Sequence, residues 1–351
     1  MSGSAQGLSD AGRHLNVLFL PLHSIQWASS RYRVYYYADK LRPYGITARI
    51  LHPRTYTIRA KVAYVVRLLV ALLWADVVVI QKKLFRRPLY RLIRLLNAVT
   101  IFDFDDAIYV YDDVKDQLPD VLRFSRHVIV GNRCLEGYAR QFANDVTRIP
   151  SPVDCELFKP ETTRKSDDGT VTIGWIGLGG NQVYLDQLEP VFARLFQLKG
   201  RSVQLKVISD RAFRFTSCRL PVINVTWSLA TEVEELRTVD IGIMPLTDDE
   251  ISRGKCAFKA LQYMSLGIAT VVSPVGMNRE IIQHGVSGML ATSEEEWVNG
   301  LLRLIDTPSL RERLGQEARK TVEQEYSYGV TVPQLASVLK RVAAQESSQR
   351  G

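Results

Sequence analysis

Short runs of Val, Ile and Leu alternate with longer helix-period segments along this chain, and the alternation starts afresh after a pair of prolines, Pro150 and Pro152, and a polar stretch. Strands that follow one another through helices pair in parallel, so such a sequence has few folds open to it besides stacked α/β layers. The first series predicts strands at 15–20, 47–51, 76–81, 99–102 and 127–130, with helices at 30–41 and 133–142 and a long helix before Asp76. The second predicts strands at 171–176, 204–209, 222–226, 241–244, 269–273 and 289–291, then helices at 294–305, 308–325 and 330–344, with Thr307-Pro308 and Ser309-x-x-Glu312 as start signals. The fold class is therefore α/β, with two doubly wound, Rossmann-like domains.

At 351 residues the chain exceeds one ordinary core and suits two domains of about 150 residues. The expected division is a disordered leader at 1–14, a first domain at 15–155, a linker at 156–169, a second domain at 170–328, and a C-terminal helix and tail at 329–351. The leader is polar and lacks an apolar signal core, and the four cysteines, Cys134, Cys155, Cys218 and Cys256, have neither zinc nor disulfide spacing. Both point to a reducing cytoplasm. The segment 62–80 is apolar, but Arg67 and Asp76 interrupt it, so it reads as helix then strand and not as a membrane span.

The segment from Arg253 to Gly288 carries the densest chemistry. A helix is expected from Lys255 to Leu266, with Ala257, Leu261 and Met264 on one face and Gly267 ending it. A helix N-terminus offers unsatisfied N–H groups and partial positive charge to phosphate oxygens. Gly254 would let the backbone approach, and Arg253, Lys255 and Lys259 would add full charges. An apolar strand follows, then the loop Pro274-Val-Gly276 leading to Asn278, Arg279 and Glu280. The same helix–strand–helix order also serves as plain scaffolding in α/β domains.

Other groups lie at predicted strand ends. Asp103, Asp105 and Asp106 follow a strand, where they could orient acceptor hydroxyls or act as a base, hold Mg²⁺ through a diphosphate, or form a solvated turn before a helix near Val114. Arg31 and Arg33 open the first helix and read either as a clamp for an acceptor phosphate or as surface charges. His23 follows the first strand. Residues 31–94 hold 15 Lys and Arg against 2 Asp and Glu, which suggests an anionic partner. Residues 82–96 interleave basic and bulky apolar residues at helical spacing, so this helix could lie on an anionic membrane surface, or pack on the sheet with its charges solvated. No zinc spacing, ribonucleoprotein motif or helix-turn-helix accompanies the charge, which argues against nucleic acid. Gly177-x-Gly179-Gly180 lacks the full dinucleotide spacing and a following acidic partner, which argues against a dehydrogenase.

Gln262-Tyr-Met264-Ser-Leu-Gly267, Gly276-Met-Asn-Arg-Glu280-Ile-Ile and Gly285-Val-Ser-Gly288 resemble the family 4 retaining glycosyltransferases, as do Pro150-Ser-Pro-Val153-Asp154 and Phe158-Lys-Pro160. The resemblance runs from Leu15 to Tyr326. The family's two motif glutamates fall on Gly254 and Gln262, and its usual basic pair is missing after Ile176, so Arg253, Lys255 or Lys259 would have to supply that charge.

The resemblance implies a GT-B fold, two facing Rossmann-like domains with terminal helices crossing back, and transfer of a sugar from a nucleotide-diphosphate sugar to an acceptor hydroxyl with retention. The donor would be held by Gly177, Arg253, Lys255, Lys259, Gln262 at the ribose, Gly276, Asn278 and Glu280. Arg31, Arg33 and Asp103 would meet a glycan or lipid-linked acceptor, and the candidate catalytic residues are Asp105, Asp106 and Lys259. No metal and no resident cofactor is expected, since basic groups would neutralise the diphosphate. The expected setting is polysaccharide, lipopolysaccharide or glycolipid synthesis in the cytoplasm, peripheral to the inner face of the cell membrane. The alternative is a non-catalytic protein of the same fold that binds a nucleotide or a partner enzyme in a polysaccharide assembly.

Overall fold

A computed structural model describes residues 14–52, 57–97, 99–160 and 169–350, with the backbone alone at Ile58 and 346–350. The expected leader, apart from His14, and residues 161–168 of the expected linker lie outside them. Twelve strands form two six-stranded sheets among these residues. The first sheet comprises β1 (Leu15–Pro21), β2 (Ile46–Ile50), β3 (Val77–Gln81), β4 (Thr100–Phe104), β5 (His127–Val130) and β6 (Val146–Arg148) in the order β2-β1-β3-β4-β5-β6. The second comprises β7 (Val171–Ile176), β8 (Val203–Ser209), β9 (Val222–Thr226), β10 (Ile241–Met244), β11 (Ala269–Val272) and β12 (Met289–Leu290) in the order β12-β11-β10-β7-β8-β9. The pairings are parallel, with Phe19 opposite Val79 in the first sheet and Trp175 opposite Val207 in the second.

Burial explains which runs became central strands. Every residue of β3, β4 and β7 is buried, as expected of strands covered on both faces. The edge strand β9 is half exposed. Around the second sheet, Phe192 and Leu195 of helix Glu189–Lys199 and Trp297, Leu301 and Leu304 of helix Glu294–Asp306 join Trp175, Leu205, Ile243 and Val271 in one apolar core.

The described residues separate into two compact units, one made of those up to Phe102 with Ser125–His127 and those from Val332 onward, the other of Asp103–Phe124 with those between Val128 and Thr331. The C-terminal helix Tyr328–Arg350 begins in the second unit and from Val332 onward belongs to the first, which is the expected crossing back.

Some elements differ from expectation. The first helix starts at Ala28, and its middle turn, Arg31–Tyr35, is a widened π turn before Tyr36–Lys40. The apolar segment after Thr57 divides into helix Ile58–Trp74 and β3, and no helix among the described residues is long and apolar enough to cross a membrane. Strand β6 was not expected: of its three residues only Val146 is buried, too short a run to show a period. In place of a helix near Val114 there is a 3₁₀ turn, Ile108–Val110, and a helix, Leu118–Phe124.

Candidate functional site

In the second sheet the chain runs outward from β7 to β8 and β9, then crosses to the other side of β7 to form β10. In open parallel sheets, ligands bind outside the carboxyl ends of the strands at such a switch point. The loops there are Gly177–Asn181 after β7, Leu246–Asp249 after β10 and Ser273–Met277 after β11.

The helix expected to face a phosphate is shorter than the sequence suggests. It spans Phe258–Ser265, because Lys255 is extended and Ala257 adopts φ +52, a left-handed backbone that breaks the helix from the preceding one, Glu250–Gly254. Lys255 thus stands before the helix, while Lys259 lies in its first turn. No side chain caps this N-terminus. Leu261 and Met264 are buried as expected, and so are their neighbours Ala260, Gln262 and Tyr263. The Tyr263 hydroxyl accepts from the Ile176 amide at 3.0 Å, and its ring fills the space above Gly242, which pins the helix to the end of β7 and to β10.

Both lysines reach the turn after β7. The Lys259 ammonium lies 4.4 Å from the Trp175 ring centre, and a Cβ on Gly177 would come within 2.7 Å of it, so a larger residue there would displace the lysine from this position. Lys255 donates to Asn181 Oδ1 at 3.5 Å. Burial, and next the charge of Lys255, push Lys259 down to about 7. Two lysine side chains and a helix start without a side-chain cap thus lie beside the turn after Ile176, where the expected basic pair is missing from the chain.

The rim of this site is held by backbone bonds. Asp210 accepts from the Gly179 amide at 2.6 Å, and Gln182 donates to the Arg211 carbonyl at 2.8 Å. Glu189 accepts from the amides of Thr216, Ser217 and Cys218, which hold its carboxyl down at about 2. The loop 210–218 is therefore tied at both ends.

The acidic turn after β4 and the head of the lysine segment come together within the second unit. A Cβ on Gly254 would lie 2.4 Å from the Ala107 Cβ, and one on Gly131 would lie 2.2 Å from Cys256 Sγ and 3.3 Å from the Asp105 Cα. The chain that approaches Gly254 is thus the Asp106–Ala107 turn and not a ligand, a correction to the role expected of that glycine. Asn132, which sequence reasoning missed, spreads its amide over three carbonyls, Arg253 at 3.3 Å, Gly254 at 2.9 Å and Lys255 at 3.1 Å, while its Oδ1 caps helix Arg133–Ala139 through Leu135. An Asn after a β-strand and before a helical run was the available signal, but it marks only a cap.

Asp103 does not follow β4 as expected: it is the fourth residue of that strand and is buried. Asp105 and Asp106 form the turn, where Asp106 accepts from the Ala107 amide at 3.0 Å. Among the described residues no three His, Cys, Asp or Glu side chains gather as a metal-holding group.

Three other expected donor residues have protein partners. Gln262 is buried and donates to Glu232 Oε1 at 2.5 Å. Glu280 lies 3.2 Å from Arg133 Nε and 3.8 Å from Arg148 Nη1. Asn278 is buried and donates to the Ser273 carbonyl at 3.0 Å, and its Oδ1 has no hydrogen-bond partner among the described residues. Gly276, at φ +51, lets the Ser273–Met277 loop close on the Arg253 carbonyl, 2.6 Å from where a Cβ would be. Arg253 pairs with Asp248 at 2.6 Å.

In the first unit, Arg31 and Arg33 are buried, so the reading of surface charges fails. Arg31 donates to the carbonyls of Ile25 and Gln26, both at 3.1 Å, and thereby shapes the turn after β1. His23 in that turn stacks on Trp27, and burial, Lys82 and His52 lower its pKa.

Residues 173–307 match the family described as Glycosyl transferases group 1. No protein of curated function matches the chain in sequence. Among solved structures the fold is similar to a sucrose-phosphate synthase from Thermosynechococcus elongatus, at 13% identity over 94% of this chain and 100% of that one, TM-score 0.69. It is similar to a glycosyltransferase from Rickettsia africae, at 11% identity over 94% and 99%, TM-score 0.71. HepE of Anabaena, solved in complex with UDP and glucose, aligns at 13% identity over 96% and 100%, TM-score 0.64. With its two parallel six-stranded sheets this chain has the two-domain α/β fold of these structures, GT-B, and its residues 173–307, which carry the lysine pair, are similar to the group 1 glycosyltransferases.

Proposed function

We propose that the chain takes a nucleotide-diphosphate sugar at the switch point of the second sheet and transfers its glycosyl group to an acceptor hydroxyl. The observation that carries this is the meeting of Lys255 and Lys259 with the Gly177–Asn181 turn. A pair of ammonium groups crowded together is unfavourable when empty and favourable around a diphosphate. The similarity to HepE, whose structure holds UDP and glucose, supports a nucleotide sugar as donor class.

In this reading the diphosphate lies across the uncapped start of helix Phe258–Ser265, with Lys259 stabilising the negative charge that grows on the leaving phosphate. The lysines and helix amides neutralise that charge, so no resident cofactor is needed. Asp105 and Asp106 orient the acceptor hydroxyl from the turn that packs on Gly254. Retention follows if the leaving phosphate assists attack on its own face. The acceptor is a glycan or a lipid-linked glycan, the setting is cell-surface polysaccharide or glycolipid synthesis at the cytoplasmic face of a membrane, and the anionic partner is the membrane surface.

A panel of nucleotide sugars with lipid-linked and free glycan acceptors, scored by nucleoside diphosphate release and by the anomeric configuration of the product, tests this. Transfer with retention, unchanged by a chelator, is expected; an inverted product would refute the stereochemical part. A second reading, a protein that binds nucleotide without transferring sugar, rests on Gly254 and Gln262 standing at the two glutamate positions. Nucleotide binding with no turnover on any pair would favour it.

A further inference from the structure

Helix Ile58–Trp74 turns the wrong face to water. Val62, Val66, Val70 and Leu73 fall on one side at helical spacing and are all exposed, Val70 to 60% and Leu73 to 74%. Leu68, Ala71 and Leu72 on the other side are buried, so the helix already has its packing face. A solvent-facing row of large aliphatic side chains is costly in water, and soluble proteins seldom keep one without a use.

The surroundings identify the occupant. Arg59, Lys61 and Arg67 are exposed on the same helix, which has no Asp or Glu. The neighbouring helix Arg87–Leu96 also lacks acidic residues; it buries Tyr90 and Ile93, and exposes Arg87, Arg91, Arg94 and Leu95, the last to 83%. Lys83 lies between them, its ammonium 5.2 Å from the Tyr64 ring centre and 5.1 Å from that of Phe85. It is half buried, and so belongs to the support of the face and not to its charged rim.

We infer that the exposed Val62–Val66–Val70–Leu73 row, together with exposed Leu95 of the neighbouring helix, dips into the acyl boundary of an anionic bilayer while Lys61 and the exposed arginines of the two helices meet the lipid headgroups. An apolar row with a cationic rim matches the two layers of such an interface, whereas a second copy of this equally basic surface would meet repulsion. The inserting face is thus mainly on helix Ile58–Trp74, with residues 82–96 contributing charge and Leu95. This extends the membrane element of the proposed function and is independent of the transfer chemistry.

The test is flotation of the full chain with vesicles of phosphatidylcholine alone and with about one-third phosphatidylglycerol. Binding to the anionic vesicles, weak binding to the neutral ones and release by salt are expected. The double variant Val66→Glu/Val70→Glu should lose at least about tenfold in partition, and Arg59→Glu/Arg67→Glu a comparable factor, with thermal unfolding and nucleoside diphosphate binding unchanged. Wild-type protein that ignores anionic vesicles, or a valine variant that melts normally and binds them as well as wild type, would overturn the inference. So would a concentration-dependent dimer abolished by Val66→Glu/Val70→Glu in protein that does not float, which would assign the face to a second copy.

Discussion

At Lys259, burial and the charge of Lys255 both oppose protonation, so near neutral pH the empty site holds its proton loosely. Because the folded pKa lies below the unfolded value, the unfolded chain binds this proton more tightly, and the group contributes a gain in stability as pH rises from about 7 toward 10. Lys259→Met should therefore raise the melting temperature of the empty protein at pH 7 while weakening nucleoside diphosphate binding by about 10- to 100-fold, as loss of a charge-assisted contact would. Scanning calorimetry with and without nucleotide checks both. The Gln262–Glu232 bond makes a second residue-scale case. Gln262→Glu would face Glu232 with a like charge and should cost about 1–3 kcal/mol at neutral pH, and adding Glu232→Gln should recover most of it. An unfolding series that finds the swap no better than the single variant would show that the two positions are not a unit. Sequence reasoning named Gln262 and Lys259 correctly as residues of this helix, but it could not see that Glu232, 30 positions earlier, takes up the Gln262 amide.

Among the elements, the joints of helix Phe258–Ser265 decide whether the lysines are aimed. Its far end is held by Arg319, which donates to the carbonyls of Cys155, Phe158 and Ser265, and by a close pass of Gly315 over Gly267, where a Cβ would come within 1.9 Å of the Gly267 carbonyl oxygen. Gly315→Ala should destabilise by at least about 2 kcal/mol, since backbone and not a flexible side chain must move; an unchanged denaturant midpoint would contradict this packing. At the near end, Asn132→Ala frees three carbonyls and should cost about 1–3 kcal/mol, with weaker nucleotide binding because the 253–255 segment loses its clamp. Strand positions were legible because apolar runs such as 171–176 and 241–244 are bounded by polar, glycine or proline positions, Thr170 and Gly177 for the first and Asp240 and Pro245 for the second. The start of the lysine helix was not, because a left-handed Ala257 leaves no mark in residue type. Nor did helical periodicity show which apolar face of residues 58–74 would be covered: the segment is apolar around most of its circumference.

For the whole molecule, the repeated strand–helix alternation made the two-sheet architecture readable, and the switch point of the second sheet follows from its strand order. Charge did not map as simply. The basic excess of residues 31–94 includes buried arginines, Arg31 and Arg33, the first of which shapes the turn after β1, as well as exposed ones such as those on helices Ile58–Trp74 and Arg87–Leu96. At the proposed donor site, likewise, the lysines sit near β7 in space but come from a segment some eighty residues later in the chain. The central claim, that Lys255 and Lys259 together hold a diphosphate, is tested most directly by titrating UDP, GDP and ADP into the protein at pH 7.5 in Tris and in HEPES, buffers of different ionisation enthalpy. A bound diphosphate favours the charged form of Lys259, so binding should take up part of a proton, the measured enthalpy should differ between buffers, and the difference should vanish in Lys259→Met. A buffer-independent enthalpy in the wild type, equal affinity in the variant, or no binding of any of the three nucleotides would contradict the account.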